Sequence, residues 1–274
     1  MVEVLLVLLI VAVLLLVIAW LGLRWPPGPF PSWLPQPAAP PAPAAWPEDL
    51  PPPVRRAFAA VLPHGPVEIT TAVISGTTAL RVNGIPLRAR FRFIHQAGRS
   101  YRHAIEVTWF NRPILKIDES FVDGYPRMAL GPLGKFEGTS TLFQAATLAL
   151  WAESIWLPPL LITDPRLRWQ ALDDTHARLL VPAGDGEEEL LVTFDANTGR
   201  IAAMDAQRYR DAGEDAVKLG WRCLTSDYTP FSGLLSPRQS SVQWSDQQRP
   251  WAEWTVEDVV YNAAVGDAMR TAGP

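Results

Sequence analysis

Four histidines, His64, His95, His103 and His176, are the side chains best suited to acid–base chemistry or metal ligation in this chain of 274 residues. None stands in HExxH, HxH or another ligand spacing. His95 and His103 flank residues 96–102, so a hairpin there would bring them close enough for a two-histidine site; satisfied or surface histidines are the default. The single cysteine, Cys223, excludes an internal disulfide and every cysteine-cluster metal site. No G-x-S-x-G, G-x-G-x-x-G or Walker loop occurs, and Gly131-Pro-Leu-Gly134 reads as a stiffened turn. Asp118-Glu119 and Asp123 fall at a strand end, and Asp173-Asp174 precede another strand. Adjacent strand residues point to opposite faces, so these tandem carboxylates do not pair and read as solvated turn residues. The residues thus name no catalytic set, and neither metal nor cofactor is expected.

Arg88, Arg90 and Arg92 alternate with Leu87, Ala89, Phe91 and Phe93, which gives one strand a cationic face and an apolar face. The cationic row suits phosphate headgroups or an acidic partner; balanced by Glu106, Asp118 and Glu119 it is simply an outward sheet face. With 24 Lys+Arg against 28 Asp+Glu and a net charge of −4, a dedicated nucleic-acid binder is excluded. Eight tryptophans, at 109, 151, 156, 169, 221, 244, 251 and 254, lie in the body of the chain. Amphipathic rings line apolar ligand grooves as well as cores. The candidate groove residues are Phe91, Phe93, Trp109, Phe143, Leu150, Trp156 and Trp169, and Arg88, Arg90 and Arg92 are the candidate headgroup contacts.

Strands must position these residues. Period-2 segments run over 67–75, 79–82, 86–94, 101–110, 113–122 and 127–130, punctuated by Gly76, Asn83-Gly84, Ala97-Gly98, Asn111 and Asp123-Gly124. Residues 139–156 switch to helical spacing, with Thr139 or Ser140 as N-cap and apolar side chains most of the way round, so this helix is buried or sits in a greasy concavity. Gln144, Glu153 and Pro158-Pro159 argue against a second membrane span. Strands resume at 166–172, 177–181, 189–195 and 200–208, then near 218–225, 239–244 and 254–261, and a short helix precedes them all at 54–62. Ten or so strands and two or three helices make an α+β architecture, a large curved antiparallel sheet, half-barrel-like, packed on a central helix.

Ahead of this body, Val4 to Leu23 is an uncharged apolar run of 20 residues, long enough at ~1.5 Å per residue to cross ~30 Å of hydrocarbon. Glu3 in place of a basic n-region and bulky residues at the exit favour an uncleaved transmembrane anchor over a signal peptide. Arg24 alone bears on orientation and slightly favours a cytoplasmic body. Thirteen prolines between Pro26 and Pro53 read as a polyproline spacer. The expected division is therefore an anchor at 1–25, a Pro/Ala-rich linker at 26–53, a sheet-plus-helix domain at 54–266 and a flexible tail at 267–274.

Five stretches carry a resemblance. They are Asp118-Glu-Ser-Phe-Val-Asp-Gly124, Trp156-Leu-Pro-Pro159, Arg168-Trp-Gln-Ala-Leu-Asp-Asp174, Leu191-Val-Thr-Phe-Asp-Ala-Asn-Thr-Gly-Arg200 and the final strand near Trp254–Tyr261. In these the body resembles an uncharacterised bacterial family labelled DUF6544 or DUF6920, whose motifs are structural and supply no functional residue. The strand count and mid-chain helix are also similar to lipoprotein-carrier half-barrels of the LolA type. That likeness implies a sheltered acyl chain and turns the expected orientation toward an extracytoplasmic body on the inner membrane. The function expected is a membrane-tethered, non-catalytic domain that binds a lipid or other apolar ligand in a groove. The alternatives are an assembly factor holding protein partners on its outer face, and an enzyme with a cleft joining His95 or His103 to Asp118, Glu119 or Asp123.

Overall fold

The computed structural model describes residues 1–30, 41–213 and 215–271; the linker expectation for 31–40 and the tail expectation for 272–274 lie outside these residues. Six strands follow one another as a meander: β1 (Thr71–Val82), β2 (Ile85–Gln96), β3 (Ser100–Trp109), β4 (Arg112–Val122), β5 (Tyr125–Ala129) and β6 (Lys135–Glu137). A second meander runs through β7 (Arg168–Ala171), β8 (His176–Ala183), β9 (Gly186–Phe194), β10 (Ile201–Tyr209), β11 (Lys218–Phe231), β12 (Leu234–Trp244) and β13 (Ala252–Tyr261). Antiparallel pairing of β1 with β13 joins the two into one sheet of 13 strands. Asn83-Gly84 and Asp123-Gly124 make its tight reversals with all four residues at positive φ, the turn that matches strand twist.

Gly76 does not break a strand, as the sequence suggested. It lies inside β1 at a bulge, where the register with β13 slips between Ser75 and Gly76. A Cβ there would come within 2.0 Å of the Thr255 carbonyl oxygen, so the partner backbone already fills the space of a side chain.

Helix α1 (Val2–Arg24) precedes the sheet, as does α2 (Pro52–Val61), which buries Val54, Ala57, Phe58 and Val61. Helix α3 (Ser140–Ala152) begins at Thr139, whose Oγ1 accepts the Leu142 N–H, and buries 11 of its 13 residues. A 3-10 turn at Glu153–Trp156 and α4 (Leu160–Thr163) continue the connection from β6, at one edge of the sheet, to β7, at the other. α3 touches β4 and β5 on one side and β8, β9 and β10 on the other, so the sheet curls round it. This is the expected α+β architecture: a large curved antiparallel sheet on a central helix.

The 23 residues of α1 are long and apolar enough to cross a membrane, with Glu3 and Arg24 at the ends. Its last turn meets the body. The Trp109 indole N–H donates to the Ala19 carbonyl at 3.2 Å, and the Phe110 N–H to that of Gly22 at 3.0 Å. Where a spacer was expected to hold the domain off, the described tether residues lie against it. The Gly28 N–H donates to Asn111, Phe30 is buried, and Pro43 bridges to Val67. The tail expectation also gives way in part: α5 (Gly266–Arg270) buries Met269, whose carbonyl accepts from Arg102.

Candidate functional site

α3 fills only part of the hollow it crosses. Leu142, Ala145 and Ala149 recur at i, i+3 and i+7 and face the concave sheet, and the two alanines leave space where larger side chains would pack. The result is a cavity of about 530 Å³. Phe93, Ile105, Trp221, Val242, Trp244, Trp251 and Trp254 line it, with Phe93 in ring contact with Trp254 at 5.1 Å. Arg210 and Asp211, both exposed, lie on the rim, so the cavity reaches solvent there. A smaller void of about 50 Å³ continues past Phe93, Trp156, Met204 and Cys223 and shares Trp221 and Trp254 with the first.

Polar groups interrupt these apolar walls. The inward positions of β10 run Met204, Ala206, Arg208, and the first two are buried. Arg208 donates from Nε to the Ala145 carbonyl at 3.0 Å and lays its guanidinium over Trp221 and Trp244, 4.8 and 5.6 Å from the ring centroids. It forms no ion pair among the described residues. Behind the walls, the buried indole N–H groups of Trp221 and Trp251 find no hydrogen-bond partner among the described residues.

Across the cavity stands a cluster of titratable side chains. In the β2–β3 register His95 lies opposite Tyr101, and Phe93 opposite His103, so all four rings share the concave face. The His103 ring stacks on Tyr101 and lies against Phe93, with centroids at 4.1 and 3.9 Å. Its Nε2 is 2.7 Å from Oε2 of Glu153, the residue that caps α3, and Nδ1 is 3.7 Å from Oε2 of Glu119. The Tyr101 hydroxyl donates to Oε1 of Glu119 at 2.6 Å. Burial opposes charge on His103, but Glu153 and Glu119 outweigh it and raise its pKa to about 9. Burial likewise opposes charge on Glu153, and His103 overrides it, holding the carboxyl down at about 2. With no such excess of partners, burial lowers the pKa of His95.

Several sequence expectations change here. Glu119 is not a solvated turn residue: strand alternation turns it inward to Tyr101 and His103, while Asp118 points outward to Arg102 at 2.8 Å. Of the seven candidate groove residues, the structure places Phe93 on the main cavity and both Phe93 and Trp156 on the smaller one. Phe91 and Leu150 are buried in the packed layer, and Phe143 packs against Phe121. Trp169 lies beyond, against Phe58 and Phe194, its N–H donating to Leu161, and Trp109 lies at α1 rather than on the cavity. The arginine row faces outward as read. Arg90 is bound to Glu106 at 2.7 Å, and the guanidiniums of Arg90 and Arg92 cover Phe30 of the tether, which leaves Arg88 as the exposed member.

The C-terminal wall was missed. Trp221, Trp244 and Trp254 stood in segments read as strands, and the inward phase of Met204 and Ala206 extends to Arg208, so their alternation was the usable signal.

No curated protein matches the chain. Among solved structures, a LolA superfamily protein from Nitrosomonas europaea aligns with a TM-score of 0.46 and 9% identity over 80% of this chain and 96% of its own. A DUF1329 family protein from Desulfovibrio piger aligns with a TM-score of 0.44 and 12% identity over 79% of this chain and 96% of its own. The profile of a family of unknown function, DUF6544, matches residues 42–255, which span the sheet almost to its end, the central helix and every residue of the cavity and the His–Glu cluster. The chain belongs to the DUF6544 family.

Proposed function

We propose that the protein is a membrane-anchored, non-catalytic domain that shelters the apolar chain of an anionic lipid in the hollow of its curved sheet. The cavity carries this reading: its volume of about 530 Å³ falls within the ~300–1,000 Å³ of small-molecule sites. A water molecule takes up roughly 30 Å³ and a methylene about as much, so there is room for on the order of 18 such groups, or one acyl chain. Arg208 supplies donors for a carboxylate or phosphate head. Phe93 and Trp156 touch the chain, and Phe91 packs behind Phe93. α1 fixes the domain to the inner membrane with its body outside the cytoplasm, and Arg88 meets headgroups of the bilayer.

Native mass spectrometry of the full chain released from detergent micelles tests this reading. One anionic lipid retained after the detergent is stripped, and lost when Ala149→Trp fills the void, is the expected result. A chain that stays empty after being offered phosphatidylglycerol and free fatty acid contradicts it. A second reading, a hydrolase, is favoured by one observation, the approach of His103 to Glu119 beside the cavity. It predicts turnover of acyl esters that ends with His103→Ala.

A further inference from the structure

We infer that His95, His103 and Glu153 form a binding site for a divalent transition-metal ion of the zinc class. This goes beyond the lipid reading and stands whether or not that reading holds. Their candidate ligand atoms all lie within 4.8 Å of one another, on three separate elements that converge: β2, β3 and the end of α3. Nε2 of His103 and Nε2 of His95 stand 2.7 and 3.1 Å from the same Glu153 oxygen. A cation bound at about 2.0–2.1 Å by nitrogen and about 2.0–2.2 Å by oxygen needs its donors roughly 3.3 Å apart, so side-chain movements on the order of 0.5–1.5 Å seat it.

Three observations favour a metal over a plain ion pair. His95 is 1% exposed, and its Nε2 has for a partner, 3.1 Å away, only the Glu153 oxygen that His103 Nε2 already approaches to 2.7 Å. Two buried imidazole nitrogens that converge on one carboxylate oxygen are a poor hydrogen-bond arrangement, and a metal ion between the three satisfies them all. His103, whose Nε2 would bind the ion, has its other ring nitrogen directed at Glu119, which in turn accepts from Tyr101. A carboxylate behind a ligating imidazole, itself fixed by a further hydrogen bond, is the outer shell that sets tautomer and ring orientation at metal sites. Finally, His103, Glu119 and Glu153 line the large cavity while His95 lies behind them, so the open coordination position faces the cavity. With the ion displacing the proton of His103, two imidazoles and one carboxylate with an open position are a zinc-type donor set, which cobalt(II) and nickel(II) also accept.

The test is titration of the untagged full chain, stripped with chelator in detergent, with Co²⁺, followed by visible absorption and calorimetry. One Co²⁺ per chain with d–d bands of low coordination number, displaced by Zn²⁺, is expected. Glu153→Gln and His95→Ala each remove a ligand and abolish stoichiometric uptake. Glu119→Gln keeps all three ligands and weakens uptake roughly tenfold to hundredfold, the effect of losing an outer-shell carboxylate. His176→Ala, a change at the surface, leaves binding unaltered. Urea midpoints measured without metal show which variants are folded, and a folded Glu119→Gln decides the matter where a ligand variant is not. Failure of the wild-type chain to take up one equivalent, or uptake unchanged in a folded Glu153→Gln, overturns the proposal.

Discussion

Arg208 shows how much a single side chain decides in this fold. An arginine at an inward strand position needs a partner for its charge. Here it has two indole faces and one backbone carbonyl. Arg208→Met keeps the stem and removes the charge. The variant should retain its apolar ligand but lose roughly tenfold to hundredfold in preference for a fatty acid over the matching fatty alcohol, since a charge-assisted hydrogen bond is worth about 1.5–3 kcal/mol. Competition between the two ligands read by native mass spectrometry checks this, and an unchanged preference removes Arg208 from headgroup recognition. Arg208 was legible in sequence as the next inward position after Met204 and Ala206. Glu119 was not, because the facing of Asp118 and Glu119 depends on which side of the sheet is concave. The meeting of Glu153 with His95 and His103 was not legible either, since it depends on how α3 crosses the sheet, which no local pattern encodes.

At the scale of elements, the alternation of Ala89, Phe91 and Phe93 with Arg88, Arg90 and Arg92 survives intact, with the apolar set buried and Arg90 and Arg92 half-buried under the tether. The sequence reading placed strands near 218–225 and 239–244, whereas β11 and β12 run on through Pro230 and Pro237. In the structure both prolines lie where β11 and β12 pair only with each other, beyond the reach of β10 and β13, so a missing N–H breaks no ladder on the outer side. β6 was missed since its three residues are too few for alternation to register, although Phe136 at its centre lines the cavity. α3 is the element on which the cavity depends. Leu148 is fully buried on it, so Leu148→Ala should cost about 2–5 kcal/mol by urea unfolding. Thr139→Ala, which removes the N-cap, should cost about 1 kcal/mol. Gly76→Val drives a side chain into the β13 backbone and should cost about 3 kcal/mol or prevent folding; a stability equal to wild type would refute the bulge.

At the scale of the whole molecule, two antiparallel meanders meet at the β1–β13 seam, and one helix crosses their shared concave face from edge to edge. A sheet packed solid against that helix would favour a scaffold that holds partners on its outside. The open volume beside Ala145 and Ala149 argues for an occupant inside. The apolar N-terminal helix, long enough to cross a membrane, has its end seated on Trp109 and Phe110 of the body. Washing membranes with alkaline carbonate should leave the chain in the pellet with the mass of the full sequence; release into the supernatant, or a mass lacking the first helix, would contradict the anchor.

The account as a whole is tested most directly by photo-crosslinking in the bilayer itself. The full chain is reconstituted with a fatty acid bearing a diazirine along its chain, irradiated, digested and mapped by mass spectrometry. The account predicts label on peptides carrying Leu142–Ala149 and Trp244–Trp254, lost on competition with unlabelled fatty acid and in Ala149→Trp, while label on α1 persists in both. Label confined to α1, with the cavity walls unmarked at every concentration of probe, would contradict it.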